Sequence, residues 1–564
     1  MAEQSAVQSS HVESGDALKS NQNLVQLSQI DYKTAIQLLN QLQTNAENIA
    51  QAIEKERSSN VVRSLEKTRY FLSLLDITPE RLNRLRVIHV AGTKGKGSTC
   101  AFVESILRGQ GLRTGFYSSP HLVAARERIR LNGEPLSEAA FTEAFAAVYG
   151  AIRGGKSADT SMPAYFLFMT LMAFHVFLRE AVDVAILEVG IGGEYDCTNV
   201  VPRPVVTGVT SLDLDHTKLL GETIEAIAWQ KAGIFKEGVP AYTVQGQAEG
   251  AMAVLAERAK ERRCPLLVAP RWDQYPVETD GAEGGFSLGE VQKINASLAV
   301  QLANCWLVSC GKLKNGSGVD ELKTAAAAGP AVITEIEPSF RQALATTKWF
   351  GRCEVIEPPE GDGAALPITY FLDAAHTPDS MQNCRDWFEL ESGGRQRRQE
   401  KSTTADNKAA DDDALKPYRI LIFNCTGDRN PHPLLSKLNE LPLDMALFTT
   451  NSVHGDKAAS SDVANFTVTS EREREITAAN CRAMAAITAG QQGNRRLKLA
   501  TVDCISEAIA AVQAEAAEVQ SVQGGRRPVH VLITGSVHLV GGFIGLLHPL
   551  FRAVDESSAK STRL

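Results

Sequence analysis

The sequence predicts an α/β fold with two domains, each built on a mainly parallel sheet. The chain has 564 residues, and a domain usually has about 100 to 200, so two are expected. Short apolar runs alternate with helical patterns over the first half of the chain, and the alternation resumes near residue 368. This order is typical of parallel strands joined by crossover helices.

Eight apolar runs predict the strands of the two sheets. They cover residues 86–91, 182–189, 204–209 and 265–268, then 368–372, 419–423, 445–448 and 529–533. The clearest helical patterns between and around them cover residues 32–75, 98–108 and 505–519. The apolar stretch 162–178 is near the lower length limit for a membrane span and contains Pro163 and His175. It therefore predicts a core helix, and no membrane span is expected.

Composition shifts suggest where the domains begin and end. Residues 1–28 are polar and aperiodic, and residues 391–416 are charged and of low complexity, so neither is expected to fold. The predicted division is a tail at 1–28, an N-terminal domain at 29–335 with a surface insertion at 311–329, a linker at 336–352, and a C-terminal domain at 353–564 interrupted by 391–416.

Bulk composition excludes several classes of protein. The net charge is −8, so there is no basic excess for nucleic-acid binding. The ten cysteines form no Cys-x-x-Cys pair, which indicates a reducing compartment and no zinc site. The first twenty residues lack the features of a signal or transit peptide. We expect a cytoplasmic protein, and another translation start would allow a mitochondrial pool.

A glycine-rich loop at Gly92–Ser98 lies where a predicted strand meets a predicted helix. Backbone amides and the helix N-terminus should favour an anion there, and Lys96 adds a positive charge. The spacing departs from the standard Walker pattern, since Gly97 separates the lysine from Ser98. A tight turn in an unrelated α/β protein is the alternative. The pattern favours a nucleoside triphosphate site. The predicted fold is therefore a large P-loop ATPase domain with a mainly parallel sheet, and the strand and helix patterns after residue 368 predict a smaller, Rossmann-like α/β domain.

Two polar groups follow buried strands of the same predicted sheet. Glu188 lies near the end of one apolar run, and Asp215 and His216 follow another. Ligands collect at the carboxyl ends of parallel strands, where the phosphate loop also lies. Glu188 is therefore a candidate magnesium ligand, with a structural salt bridge as the alternative. His216 is a candidate for metal or phosphate contact, although a lone histidine is usually structural.

Lys231 falls within the apolar stripe of a helix predicted to begin near Thr223. An inward-facing lysine has a lowered pKa, so it can act as a nucleophile or take up carbon dioxide as a carbamate. A lysine whose amine reaches past the helix edge to solvent is an equally good interpretation of the spacing.

Three polar residues near the second domain do not indicate a function when each is considered alone. Asp373 ends a predicted strand, His376 follows it, and Arg352 lies in the predicted linker. An aspartate at a strand end is usually a turn residue, and an arginine is usually solvated. Their spacing does not indicate catalysis.

Together these motifs resemble the folylpolyglutamate synthase family of the Mur ligase superfamily, and its eukaryotic members in particular. The resemblance covers most of residues 85–300, through segments 92–98, 118–122, 126–133, 162–177, 188–199, 215–216 and 229–236. In the second half of the chain the resemblance is limited to four short segments, at 351–354, 373–378, 426–431 and 534–542. Ala374 and Thr377 replace the Gly and Asn of bacterial relatives, which puts the second-domain contacts in doubt.

The resemblance implies a role for each candidate residue. It implies that the phosphates of ATP bind to Gly95, Lys96, Gly97 and Ser98, and that Mg²⁺ binds to Ser119, Glu188 and His216. It implies that Arg352 and Asp373 contact ATP and that residues 119–133 cover the pteridine. Lys231 would match a carbamylated lysine, and a monovalent cation such as K⁺ would be compatible. Lys96, Lys231 and His376 are the residues expected to serve catalysis.

The activity that the resemblance implies is the ATP-dependent addition of L-glutamate, in γ-linkage, to tetrahydrofolate and its polyglutamates. The folate carboxylate would attack the γ-phosphate of ATP, and glutamate would then attack the acyl phosphate. The alternatives are a dihydrofolate synthase, which acts on dihydropteroate, and a nucleotide-binding switch without ligase activity. We expect a monomer with no nucleic-acid partner.

Overall fold

The computed structural model describes residues 30–43, 63–157, 160–276, 289–312, 331–357, 366–403, 416–425, 429–454, 462, 470–489, 497–523 and 527–548. The predicted tail at 1–28 lies outside these residues, as do residues 313–329 of the predicted insertion. Within the described part of the chain, no helix is long and apolar enough to cross a membrane.

The first sheet has eight strands in the order β4-β3-β2-β5-β1-β6-β7-β8. Their bounds are β1 Ile88–Ala91, β2 Thr114–Tyr117, β3 Ile129–Leu131, β4 Glu134–Pro135, β5 Val184–Glu188, β6 Val206–Val209, β7 Ala241–Thr243 and β8 Leu266–Val268. All neighbours pair in parallel except β3 with β2 and β4 with β3. The predicted parallel α/β sheet is confirmed.

Helices cover both faces of the first sheet. They are Tyr32–Asn40, Arg63–Leu74, Pro79–Arg84, Lys96–Gly109, Glu138–Gly155, Tyr165–Arg179, Thr217–Leu220, Ile224–Lys231, Glu249–Glu261, Glu290–Ser309 and Pro338–Thr346. Tyr165–Arg179 is buried along most of its length, which confirms the predicted core helix. Pro338–Thr346 falls within the expected linker, yet it packs on the helix after the phosphate loop, where Ser105 Oγ donates to Ala343 O over 2.9 Å.

The second sheet has six strands in the order β13-β12-β11-β14-β10-β9. Their bounds are β9 Glu354–Ile356, β10 Ile368–Asp373, β11 Tyr418–Phe423, β12 Met445–Thr449, β13 Lys498–Val502 and β14 Val529–Thr534. Only β9 runs antiparallel to its neighbour. The helices of this region are Pro378–Thr403, His432–Leu438, Ser470–Ala489, Ile505–Gln523 and Val537–Leu547.

The helix Pro378–Thr403 corrects one prediction. It continues through residues 391–403, so the expectation that the charged segment 391–416 does not fold is wrong for that part. Met381, Cys384, Phe388 and Ser392 are buried at helical spacing and anchor the helix on the sheet. Gln, Arg, Lys and Glu then extend it, because they are good helix formers. Residues 404–415 lie outside the described residues.

Contacts between the two sheet regions involve the loop after β2. Leu122 and Val123 pack against the core of the second region. A Cβ at Gly541 would lie 2.0 Å from the Leu122 carbonyl oxygen, so the backbones approach closely where only glycine fits. The region that carries the phosphate loop and the region that carries Asp373 are therefore packed together.

Candidate active site

The phosphate loop follows β1 and leads into the helix Lys96–Gly109. Gly95 precedes the helix with a φ of 86°, a conformation that favours glycine. A Cβ there would lie 2.0 Å from Oδ1 of Asn295, and a Cβ at Gly92 would lie 1.7 Å from Oγ1 of Thr210. The glycines thus allow the loop to pack closely on its neighbours, and the predicted strand–loop–helix unit is confirmed.

The loop is tied to the segment that follows β6. The amides of Thr93 and Lys94 donate to Ser211 O over 3.0 and 3.1 Å, so these two N–H groups are not free for phosphate. The hydroxyl of Thr93 donates to Asp213 O over 3.1 Å. An anion would therefore be bound by amides that follow Lys94, at the N-terminus of the helix that begins at Lys96.

Glu188 ends β5 at the same edge, since its strand pairs with β1 and aligns Glu188 with Val90. The side chain is buried, and its Oε2 atom accepts a hydrogen bond from the amide of Ser119 over 3.0 Å. Burial raises the pKa of this carboxyl, while Lys96 and Arg352 lower it. Positive charges from both regions therefore act on Glu188.

Asp215 and His216 follow β6, as the sequence predicts. His216 has a φ of 51° and precedes the short helix Thr217–Leu220. Burial is the main cause that lowers the pKa of its imidazole. Asp215 opposes this effect, whereas Lys96 and Lys231 add to it. His216 is therefore close to the phosphate loop and suited to be a neutral ligand.

Lys231 faces inward, which confirms the prediction from its spacing. It ends the helix Ile224–Lys231 and is 4% exposed. Its Nζ atom donates to Gly92 O, the first residue of the loop, over 2.8 Å. Burial lowers the pKa of the amine well below its usual value, and Lys96 adds to this effect. The neutral amine, which is the form that reacts with carbon dioxide, is thus favoured.

Asp373 and Arg352 lie together at the start of the second region. Asp373 is buried at the end of β10, where its Oδ2 atom accepts the Cys353 amide over 2.9 Å. Burial raises the pKa of Asp373, and Arg352 opposes that rise. The Arg352 guanidinium donates to Gly351 O over 2.9 Å.

His376 has a defined protonation state. Its Nδ1 atom lies 2.8 Å from Ala374 O, which can only accept, so Nδ1 carries the proton and Nε2 is free to accept. Burial lowers the pKa of His376 to about 3, and Lys94 is the strongest charge acting in the same direction. His376 is therefore neutral near pH 7 and lies within electrostatic reach of the phosphate loop.

Sequence reasoning missed two features of this region. Lys94 and Asp215 form an ion pair with Nζ and Oδ2 3.6 Å apart. The presence of a second lysine in the loop, two positions before Lys96, could have indicated this pair. Asp462 accepts the Tyr32 hydroxyl over 2.6 Å and the Ala125 amide over 2.7 Å. No pattern around Asp462 could have indicated this contact, because its neighbours in sequence show no periodicity.

Comparisons with known proteins identify relatives of this chain. No family model matches the chain. Human mitochondrial folylpolyglutamate synthase is 39% identical, and the alignment covers 92% of each chain. Folylpolyglutamate synthase of Saccharomyces cerevisiae is 34% identical over 91% of this chain and 86% of the yeast protein.

A solved structure shares the fold. Mycobacterium tuberculosis folylpolyglutamate synthase complexed with ADP aligns with a TM-score of 0.62, at 21% identity, over 92% of this chain and 99% of that one. The sequence relatives span nearly the whole chain at well over 30% identity. The chain belongs to the folylpolyglutamate synthase family.

Proposed function

We propose that the residues around the phosphate loop perform the chemistry of the folylpolyglutamate synthase family in this chain. The chain is an ATP-dependent acid–amino-acid ligase that adds L-glutamate to tetrahydrofolate and its polyglutamates. The observation that carries the residue assignment is the position of Lys96: it begins a helix at the end of β1, and its charge acts on Glu188 at the end of β5.

The phosphates of ATP bind at the N-terminus of the helix Lys96–Gly109. Gly95, Lys96, Gly97 and Ser98 form this end of the helix, where the first-turn amides lack partners within the helix. Lys96 supplies the charge that matches the phosphoryl oxygens. Matching of this charge is the main contribution that a protein makes to phosphoryl transfer.

Mg²⁺ binds beside the loop to Ser119, Glu188 and His216. Within the described ranges no three His, Cys, Asp or Glu side chains form a metal cluster, but Mg²⁺ commonly uses one or two carboxylates together with phosphates and water. The buried Glu188 carboxylate beside Ser119 fits that requirement. When bound, the ion neutralises charge on the phosphoryl oxygens.

Lys231 carries a carbamate in the working enzyme. Its buried amine has a pKa well below the usual value, and the neutral form is the one that reacts. The carbamate would add an anionic oxygen next to Gly92. A monovalent cation such as K⁺ would be compatible with this site, and the test is the dependence of turnover on added K⁺.

The second domain completes the site. Arg352 and Asp373 contact ATP from that side, and His376 approaches the reacting phosphate with its free Nε2 atom. The charges of Arg352 on Glu188 and of Lys94 on His376 support this arrangement. Contacts from two domains imply that closure precedes chemistry, which keeps water from the acyl phosphate.

The reaction has two steps. The γ-carboxylate of the folate attacks the γ-phosphorus of ATP, and the bond to ADP breaks. The amino group of glutamate then attacks the acyl carbon, phosphate leaves with the bonding electrons, and the amine loses a proton. Residues 119–133 cover the pteridine during these steps.

The test is incorporation of labelled glutamate by the purified chain with ATP and either tetrahydrofolate or dihydropteroate. We expect incorporation with tetrahydrofolate and release of ADP. Incorporation with dihydropteroate alone would instead make the chain a dihydrofolate synthase, whose chemistry is the same. ATP binding without ADP formation would indicate a nucleotide-dependent switch.

The oligomeric state and the location are separate expectations. We expect a monomer, measured by light scattering, without a nucleic-acid partner. We expect a cytoplasmic enzyme because the cysteines form no Cys-x-x-Cys pair and the described cysteines are unpaired. The human relative is named as mitochondrial, so a mitochondrial pool is also proposed, and cell fractionation would separate the two.

A further inference from the structure

Lys94 places in the phosphate loop an amine that has an ion-pair partner, Asp215, but no hydrogen bond. Its Nζ atom is buried and has no hydrogen-bond partner. Oδ2 of Asp215 lies 3.6 Å away, beyond the upper limit of about 3.2 Å for an N–H···O bond. A buried charge without such a partner costs free energy. The ammonium group therefore lacks an acceptor that a bound anion could supply.

The loop fixes where this ammonium group lies. The Lys94 amide donates to Ser211 O over 3.1 Å. The preceding residue, Thr93, exchanges hydrogen bonds with the backbone of Asp213. The backbone that leads into Lys94 is therefore held against the segment after β6.

Lys94 interacts electrostatically with residues of both domains. Burial lowers the pKa of the Lys94 amine. Asp215 and Asp213, in the segment after β6, oppose this effect, whereas Lys96 in the same loop adds to it. On the other side, Lys94 is the strongest charge acting on His376 of the second domain. Lys94 thus lies within electrostatic reach of both Lys96 and the second domain.

We propose that Lys94 is a second phosphate-binding cation of the loop, which donates a hydrogen bond to an oxygen of the γ-phosphoryl group during its transfer. The proposal rests on the function proposed above. The folate carboxylate oxygen bonds to phosphorus, the bond to the β-phosphate oxygen breaks, and its electrons leave with ADP. Lys94 keeps its proton throughout, because the negative charge of the bound phosphate favours the ammonium form, and it stabilises charge on the equatorial oxygens.

The competing explanation is that Lys94 only pairs with Asp215 and so holds the neighbouring His216 in place. In that case Asp215→Asn would have the same effect as loss of Lys94, and the double variant would be no worse than either single variant. Direct contact with phosphate predicts a different pattern, because Lys94 would act on a group that Asp215 does not touch.

The experiment compares Lys94→Met, Lys94→Arg, Asp215→Asn and the double variant Lys94→Met/Asp215→Asn in the full-length chain. The exposed Lys260→Met is the matched control. The affinities for ADP and for a non-hydrolysable ATP analogue are measured with Mg²⁺, together with kcat for glutamate incorporation.

We expect Lys94→Met to lower kcat by about 100-fold and analogue affinity by about tenfold, with ADP affinity nearly unchanged. Lys94→Arg should recover part of both losses, and this variant keeps the test valid if Lys94→Met unfolds. Equal losses for ADP and the analogue, a rise in the KM of glutamate alone, or a double variant no worse than Asp215→Asn would overturn the proposal. Wild-type chain without ligase activity would instead refute the proposed function.

Discussion

The two sheets have similar topology, yet their charged residues are arranged differently. Around the first sheet's carboxyl edge, Lys94 has no hydrogen-bond partner and Lys231 donates to a carbonyl rather than a carboxylate. In the second domain, Lys498 pairs with Glu515 over 2.5 Å and Asp373 accepts the Cys353 amide. Lys94 pairs with Asp215 only at 3.6 Å, beyond hydrogen-bond distance, so its amine can still bond to an anion. We therefore expect the first sheet to carry the phosphoryl chemistry and the second to complete it.

The largest expected effect is that of Lys96→Ala. Without this positive charge, the negative charge on the oxygens of the transferring phosphoryl group is no longer stabilised. We therefore expect kcat for ADP formation to fall by about 1000-fold. The measurement is steady-state ADP release with tetrahydrofolate and glutamate, and Lys260→Ala is the surface control. Activity within a fewfold of wild type would contradict the assignment of the loop and remove the proposed distinction between the sheets.

Lys231→Ala should have the next largest effect, a loss of turnover of about 100-fold. A carbamate explains the loss only if short carboxylates such as formate or acetate partly restore turnover. The measurement is kcat with and without added carboxylate. A fully active variant would show that the hydrogen bond to Gly92 is only structural, and an inactive variant without rescue would argue against the carbamate.

Arg352→Ala should have a smaller effect, since this residue acts from the second domain. Loss of one charged hydrogen bond to ATP should raise the KM for ATP by about tenfold. The measurement is the ATP dependence of the rate. The control is Arg271→Ala, since Arg271 is exposed and distant in sequence from Arg352. A loss as large as that of Lys96→Ala would contradict the proposed division of roles.

The smallest effect at neutral pH concerns His530, which lies buried on β14 and is hydrogen-bonded to Ser392. Burial lowers its pKa from 6.5 to about 4. The unfolded chain therefore binds the proton more readily, so stability is complete above pH 6.5 and falls between pH 6.5 and 4.

His530→Gln removes this linkage. The variant should have a lower Tm than wild type at pH 7, but its Tm should fall less between pH 7 and pH 5. Thermal unfolding at both pH values measures the difference. An equal fall in both proteins would show that His530 does not contribute to acid sensitivity.

Sequence patterns located the parts of the fold that depend on long apolar runs. The eight predicted strands are present because β-branched and apolar residues mark buried parallel strands. Short or exposed strands such as Glu134–Pro135 and Lys498–Val502 lack that pattern and were missed. The helical residues 391–403 were missed because their support comes from side chains earlier in the same helix.

For the candidate site as well, sequence patterns predicted some features and missed others. Helical spacing predicted that Lys231 faces inward, and strand ends predicted the edge that carries Glu188 and His216. The pairing of Lys94 with Asp215 depends on how two loops meet across β1 and β6, which spacing does not encode. The use of the Thr93 and Lys94 amides by Ser211 was hidden for the same reason.

The most direct test of the central claim is calorimetric binding of a non-hydrolysable ATP analogue with Mg²⁺ to wild type, Lys96→Ala and Arg352→Ala. If the edge of the first sheet binds the triphosphate, Lys96→Ala should lose about 100-fold in affinity and Arg352→Ala about tenfold. An equal or larger loss for Arg352→Ala would contradict the account, because the second domain would then be the main triphosphate site.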